Sequence, residues 1–195
     1  MFRVEPVILD GKVVRLVPLA LEHVDPLCDV GLDPSLWTWT PVRISDCSQM
    51  RAFVEEALAE QRAGTALAFA TTLRETGEVI GSTRFMSIVP AHRRVEIGGT
   101  WIAPALQRTR ANTEAKYLML RHAFEVWQCM RVELKTHAQN AKSRVAILRI
   151  GAVEEGTLRK HMLQSDGSIR DSVYFSILDD EWPNVKSKLE SLLRD

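Results

Sequence analysis

The stretch Trp101-Ile102-Ala103-Pro104-Ala105-Leu106-Gln107-Arg108-Thr109-Arg110-Ala111-Asn112-Thr113-Glu114-Ala115-Lys116 limits what this chain can fold into more than any other. It reads as a strand that passes through a short loop into a long helix. Across residues 113–127 the apolar positions Tyr117, Leu118, Met119, Leu120, Ala123, Phe124, Val126 and Trp127 wrap most of the cylinder. Only Glu114, Arg121, Glu125 and Gln128 remain as a narrow polar stripe, the pattern of a helix packed on two sides. A second strand follows at residues 131–136. Two strands joined by such a helix run parallel through a right-handed crossover. Asn140-Ala141-Lys142-Ser143 then opens a further helix, so two helix starts gather at one end of the unit. The first of them aims free backbone N–H groups at its loop, an arrangement that favours phosphate.

The first half has a different character. Residues 13–19 alternate as a strand after the turn at Asp10-Gly11, and residues 22–30 and 49–62 read as helices. The second of these has Ser48 as its expected cap and Gly64 as its stop. Residues 66–73, 78–88 and 94–102 form a meander of antiparallel strands. After a helix at residues 143–150, the turn Ser165-Asp166-Gly167-Ser168 joins two more strands, and a last amphipathic helix begins near Trp182-Pro183. The fold class expected is therefore α/β (α+β): a mixed, mostly antiparallel sheet with one parallel pair, flanked by helices. No linker or repeat divides residues 1–195, which reads as one domain.

Charge narrows the partners. With 25 basic and 25 acidic side chains the net charge is zero, so neither nucleic acid nor an anionic membrane is expected to attract the chain as a whole. No apolar run approaches the roughly 18 residues that span a bilayer, and a cytoplasmic location is expected. Cys28, Cys47 and Cys129 are odd in number and widely spaced, which points to reduced thiols; the five histidines lack metal-ligand spacing, so no metal is expected.

Residues 107–112, the run Asn112-Thr113-Glu114-Ala115-Lys116, the pair Asn140 and Ser143, and Gly151-Ala152 together resemble the GNAT N-acetyltransferases, particularly the RimJ/RimL type that acetylates ribosomal-protein N-termini. The likeness extends from about Leu9 to Trp182-Pro183. It implies a parallel pair splayed into a V-shaped cleft, acetyl-CoA as cosubstrate, and direct transfer to a primary amine. Dimerisation, common in the family, is carried over as analogy. The family's phosphate loop, Gln/Arg-x-x-Gly-x-Gly/Ala, departs here: its two small positions hold Arg110 and Asn112. Either the loop takes a form that needs no glycine, or cofactor binding is weakened.

Acetyl transfer needs an amine free of its proton, donors for the oxyanion and a proton for the leaving thiolate. At pH 7 deprotonating a lysine amine costs roughly 4.6 kcal/mol and an α-amine roughly 1 kcal/mol, so an N-terminal acceptor asks less of the base. By resemblance Glu96 is the base or the anchor of a water relay; otherwise it is a charge on an exposed strand face or at a sheet edge. Gly98 and Gly99 mark a bulge or a simple packing contact. Free backbone groups at Ile102 and Ala103 would take the pantetheine arm and thioester oxygen. The backbone of Arg108, Thr109, Arg110, Ala111, Asn112 and Thr113 would cradle the pyrophosphate, with Gln107 at the loop entrance. Asn140 would bind the pantetheine amide and Ser143 would donate a proton to the thiolate, although both are also ordinary helix-opening residues. Trp37 and Trp39 would line the acceptor pocket or fold onto the core. The expected function is N-acetylation of a peptide N-terminus or small-molecule amine; a silent coenzyme A-binding scaffold and an interaction module are the alternatives.

Overall fold

The structure is a computed structural model that describes residues 4–194. In chain order it forms β1 (Leu9–Asp10), β2 (Val14–Pro18), α1 (Val24–Gly31), α2 (Cys47–Arg62), β3 (Leu67–Leu73), β4 (Val79–Val89), β5 (Arg94–Ile102) and α3 (Arg110–Arg121). There follow β6 (Arg131–His137), α4 (Ala141–Arg149), β7 (Val153–Leu163), β8 (Ile169–Leu178) and α5 (Trp182–Arg194). The strands make one sheet in the order β1-β2-β3-β4-β5-β6-β8-β7. Every neighbouring pair is antiparallel except β5 and β6, as the crossover argument requires. Among the described residues no helix is long and apolar enough to cross a membrane.

Strand parity divides the core in two. In β3, Leu67 and Phe69 face the cluster that includes Leu118, Met119 and Leu120 of α3, while Ala68 and Ala70 face Trp37, Met50 and Phe53 beneath α1 and α2. Helix α3 is gripped from its other side by α5, where Phe124 stacks on Trp182 at 5.3 Å and the Tyr117 hydroxyl donates to Glu190 at 2.9 Å. Each large side chain buried in this way is worth about 1.5–3 kcal/mol.

Four sequence expectations are corrected. Helix α2 begins at Cys47 and is capped by Asp46, whose carboxylate accepts from the Gln49 N–H; the Ser48 hydroxyl lies inside the first turn and donates to the same carboxylate. The long helix starts at Arg110 and changes to a π turn over His122–Val126, where the Trp127 N–H reaches back to the His122 carbonyl at 3.0 Å. That extra residue per turn rotates Trp127 onto Phe85, 4.6 Å between rings, and leaves Val126 64% exposed. Cys28 and Cys47 are joined in a disulfide, because the loop between α1 and α2 folds back and brings their Cα atoms to 5.6 Å. Cys129 remains a free thiol in the core.

The fourth correction is Glu114, which is buried rather than part of a polar stripe. Its carboxylate accepts the N–H groups of Lys12 at 2.9 Å, Val13 at 2.6 Å and Val14 at 2.7 Å. The contact ties the start of α3 to the turn before β2. Gly11 is obligatory there, since a Cβ at that position would strike the Glu114 carboxylate. Glu114→Ala strands three donors and is expected to cost about 3 kcal/mol. Urea unfolding measures this, and a loss below about 1 kcal/mol would show that solvent replaces the carboxylate at no cost.

Candidate active site

The site is built where β5 and β6 part. Their parallel pairing has three rows, Arg94 with Arg131, Val95 with Val132 and Glu96 with Glu133. Beyond Glu96, β5 runs on to Ile102 beside β4, and β6 runs on to His137 beside β8. The two strands therefore diverge and leave the inner edge of β5 without a strand partner.

The divergence coincides with a bulge. Register against β4 shifts between Arg84 opposite Gly98 and Ser82 opposite Trp101. Before the bulge Val95 and Ile97 face α3; after it Ile102 faces that way while Trp101 joins the α1–α2 cluster. Gly99 has φ 57°, and a Cβ there would lie 2.7 Å from Arg84 Nε. Both features call for glycine, so the bulge reading of Gly98-Gly99 holds.

Glu96 lies in the last paired row and is 3% exposed. The alternative of a charge on an exposed strand face is ruled out by that burial. Its Oε2 sits 3.3 Å from Lys135 Nζ and 3.5 Å from the Ser87 hydroxyl. Lys135 Nζ also lies 5.6 Å from the centre of the Tyr174 ring. Sequence reading passed over Lys135, although its place in Val132-Glu133-Leu134-Lys135, alternating with two core residues, put it on the open face.

At the mouth of the cleft, Gln107 donates to the Ile102 carbonyl at 3.2 Å and the Ala103 N–H is committed to the Ile80 carbonyl at 2.8 Å. Ala103 thus has no N–H to offer a thioester oxygen, which corrects one expected contact; the unpaired stretch of β5 is the edge that remains. Positive φ falls on Arg108, at 64°, while Arg110 and Asn112 lie in α3. The loop therefore takes a form that needs no glycine at those two positions. Thr109 caps the helix by accepting from the Ala111 N–H at 3.2 Å, and the first-turn N–H groups of Arg110 and Asn112 lie ahead of the intrahelical ladder, whereas the Thr113 N–H is the first to bond within the helix, to the N-cap carbonyl, which removes it from the expected cradle. Arg108 is exposed, whereas the Arg110 guanidinium turns to the Leu193 carbonyl at 3.4 Å, at the end of α5. The Asn112 Oδ1 is buried with no hydrogen-bond partner among the described residues, and Arg149 Nη2 reaches the Thr113 hydroxyl at 2.6 Å. Free helix-end donors, an unpaired strand edge and an unused buried amide oxygen fit a ligand with a pyrophosphate and an amide-bearing arm.

Across the cleft, Asn140 caps α4 through its Oδ1, which accepts the Ser143 N–H at 3.0 Å. The helix-opening role is thereby filled, and its amide N–H2 group is what remains for a ligand. Ser143 is half-buried in the first turn of α4.

The two tryptophans separate. Trp37 is 3% exposed, packs on Phe53 and Trp101, and donates its indole N–H to the Gly31 carbonyl at 2.8 Å. It belongs to the core, which corrects its expected place in the acceptor pocket. Trp39 is half-buried, with its ring 4.9 Å from that of His137. Both line a cavity of about 420 Å³ together with Arg43, Gln139, Gln164 and Asp171.

Two buried groups bear on the chemistry. Burial pushes the Cys129 thiol up to about 12, so it is a poor nucleophile and no acyl-cysteine route runs through it. Lys116, 7% exposed and donating to the Thr100 hydroxyl at 2.6 Å, has its ammonium pushed by burial from 10.5 down to about 7. It stands beneath the β5 bulge, bonded to a residue of the free edge.

A mixed sheet parted at its parallel pair, with a helix N-terminus at the mouth, is the arrangement that the resemblance to the acetyltransferases implied. The chain belongs to the GNAT acetyltransferases: residues 14–153 match the family described as Acetyltransferase (GNAT) domain. It is 34% identical over 110 residues to the Bacillus subtilis (strain 168) protein named "Putative ribosomal N-acetyltransferase YdaF", a match that spans 56% of this chain and 59% of that protein. A GCN5-related N-acetyltransferase from Brucella melitensis superposes with a TM-score of 0.88 at 32% identity, over 96% of this chain and 85% of that one. Mycobacterium smegmatis RimJ in complex with CoA-disulfide gives a TM-score of 0.81 at 25% identity, over 97% of this chain and 93% of that one.

The Lys116 environment predicts a pH signature. Between about pH 7 and 10.5 the unfolded chain keeps a proton that the folded chain has released, so this lysine's contribution to stability rises with pH across that window and its penalty is full below it. Lys116→Met is expected to stabilise the protein relative to wild type by about 3 kcal/mol more at pH 7 than at pH 10. Urea unfolding of both proteins at the two pH values checks this. An equal difference at both would show that the ammonium is hydrated in place.

Proposed function

We propose that the chain is a single-domain, acetyl-CoA-dependent N-acetyltransferase whose acceptor is an exposed α-amine, a peptide or protein N-terminus or a small molecule. The observation that carries this reading is the position of Glu96 in the last row before β5 and β6 diverge, buried beside Lys135. That row is where an amine entering from the open face meets a thioester laid along the free edge of β5. The name borne by the Bacillus subtilis relative and the coenzyme A derivative bound to RimJ support the acceptor and the cosubstrate.

Acetyl-CoA supplies an acetyl group activated as a thioester. First-turn N–H groups of α3, from Arg110 to Asn112, would hold its pyrophosphate, with Arg108 adding charge from the loop. Asn140, through its N–H2 group, would bind the amide-bearing arm. Glu96 takes the proton from the attacking amine, directly or through one water, and Ser143 donates to the departing thiolate. Because an α-amine gives up its proton at a cost of only roughly 1 kcal/mol at pH 7, it asks less of the base than a lysine acceptor would. We place the enzyme in the cytoplasm, and the exposed edge of β7 is where a second copy would add.

Glu96→Gln is expected to lower kcat about 100-fold or more, and Ser143→Ala about tenfold. Calorimetric titration should show both variants binding acetyl-CoA with wild-type affinity, micromolar and weakened by dephospho-CoA substitution. Unchanged turnover in both variants would remove the proposed base and acid. No binding at millimolar acetyl-CoA would overturn the reading.

A further inference from the structure

On the face of the sheet that carries Glu96, buried charge does not balance. Residues of β8 that point this way are Arg170, Ser172, Tyr174 and Ser176, since Val173, Phe175 and Ile177 lie in the opposite core. Arg170 is 4% exposed. Its Nε donates to the Ser172 hydroxyl at 3.0 Å and its Nη1 to the Trp39 carbonyl at 3.4 Å. No carboxylate among the described residues lies within ion-pair distance of it. Asp171, its neighbour in sequence, turns away and accepts the Lys160 N–H at 2.7 Å.

The other charges on this face do not make up the difference. Glu96 is within ion-pair distance of Lys135 and acts on Arg170 only at longer range, too weakly to offset the burial of the guanidinium, while Glu133 pairs with Arg94 and Arg131. His137 and His161 are each pressed towards the neutral form, chiefly by burial and then by neighbouring cations, Arg170 among them. The face therefore holds Lys135 and Arg170 against one unshared carboxylate. A buried cation without a counter-ion is costly unless a partner arrives, and a guanidinium is shaped to receive a carboxylate.

We propose that Arg170 selects acceptors that carry a carboxylate close to the reacting amine. This rests on the acetyltransferase reading of the cleft and adds the class of acceptor. The amine goes to Glu96, and the carboxylate goes to the guanidinium beneath the Trp39 loop. The carboxylate can come from an acidic side chain next to a peptide N-terminus or from the α-carboxylate of a free amino acid.

Four acceptors separate these sources: Ala-Glu-Ala-amide against Ala-Gln-Ala-amide, and alanine against alaninamide. Wild type, Arg170→Met and Arg170→Lys would be compared on all four, by acetylation rate and by calorimetric binding with coenzyme A present. For wild type, the acidic member of at least one pair is expected to be favoured about tenfold or more, mainly through KM. Arg170→Met should bring that ratio to about one, and Arg170→Lys should restore part of it. The pair that shows the preference identifies the source of the carboxylate. A wild-type ratio near one in both pairs would overturn the proposal. So would an equal loss on all four acceptors in Arg170→Met, which would make Arg170 only a clamp on the Trp39 loop. Should no acceptor be turned over, the acetyltransferase reading fails while the binding ratios still decide the role of Arg170; absence of binding by all four overturns it.

Discussion

Everything in the site depends on the parallel pairing of β5 and β6 stopping after three rows. Strands that stayed paired to Ile102 and His137 would saturate each other's backbone and leave no edge for a ligand. Each strand is instead held by its outer neighbour, β5 by β4 and β6 by β8, so the parting costs few hydrogen bonds. The bulge at Gly98-Gly99 falls on the free stretch and reverses the parity of the strand. It puts Trp101 into the α1–α2 core while Thr100 reaches Lys116. An opening of this kind needs a rigid frame, because an unpaired strand edge invites collapse.

That frame is the anchoring of α3. Glu114 takes three N–H groups from the turn before β2, α5 closes the far side through Trp182 and Glu190, and Arg149 of α4 bonds Thr113. The helix whose first turn faces the loop is thus fixed at its start by partners from three parts of the chain. Its free N–H groups point to one place before any ligand arrives, which lowers the ordering cost of binding. The Arg110 side chain works in the same direction, reaching the end of α5 rather than the loop.

The acceptor side is organised by charge. Glu96, Lys135, Tyr174 and Arg170 come from three strands and meet on one face because strand parity puts them there. Trp39 reaches Arg170 through its carbonyl and His137 through its ring, from a loop that the Cys28–Cys47 disulfide closes at its base and that Arg43 ties to Asp166 at 2.6 Å. A carboxylate and two cations thereby lie on one face of the sheet.

Sequence by itself determined the order of elements, the antiparallel meander, the parallel crossover and the helix start at Asn140, because period, capping chemistry and turn residues are local. It also marked Glu96 and the glycine bulge. Tertiary structure alone decided which polar residues are buried. Glu114 reads as solvent-facing by helical period, yet a turn about a hundred residues earlier in the chain supplies its partners. Trp37 and Trp39 are alike in sequence, and only packing against Phe53 or against His137 parts them. Arg170 and Lys135 are single charges in alternating strands, and their meaning lies in which carboxylates other strands place within reach. Such pairings depend on distances between segments remote in the chain, and no local pattern records them.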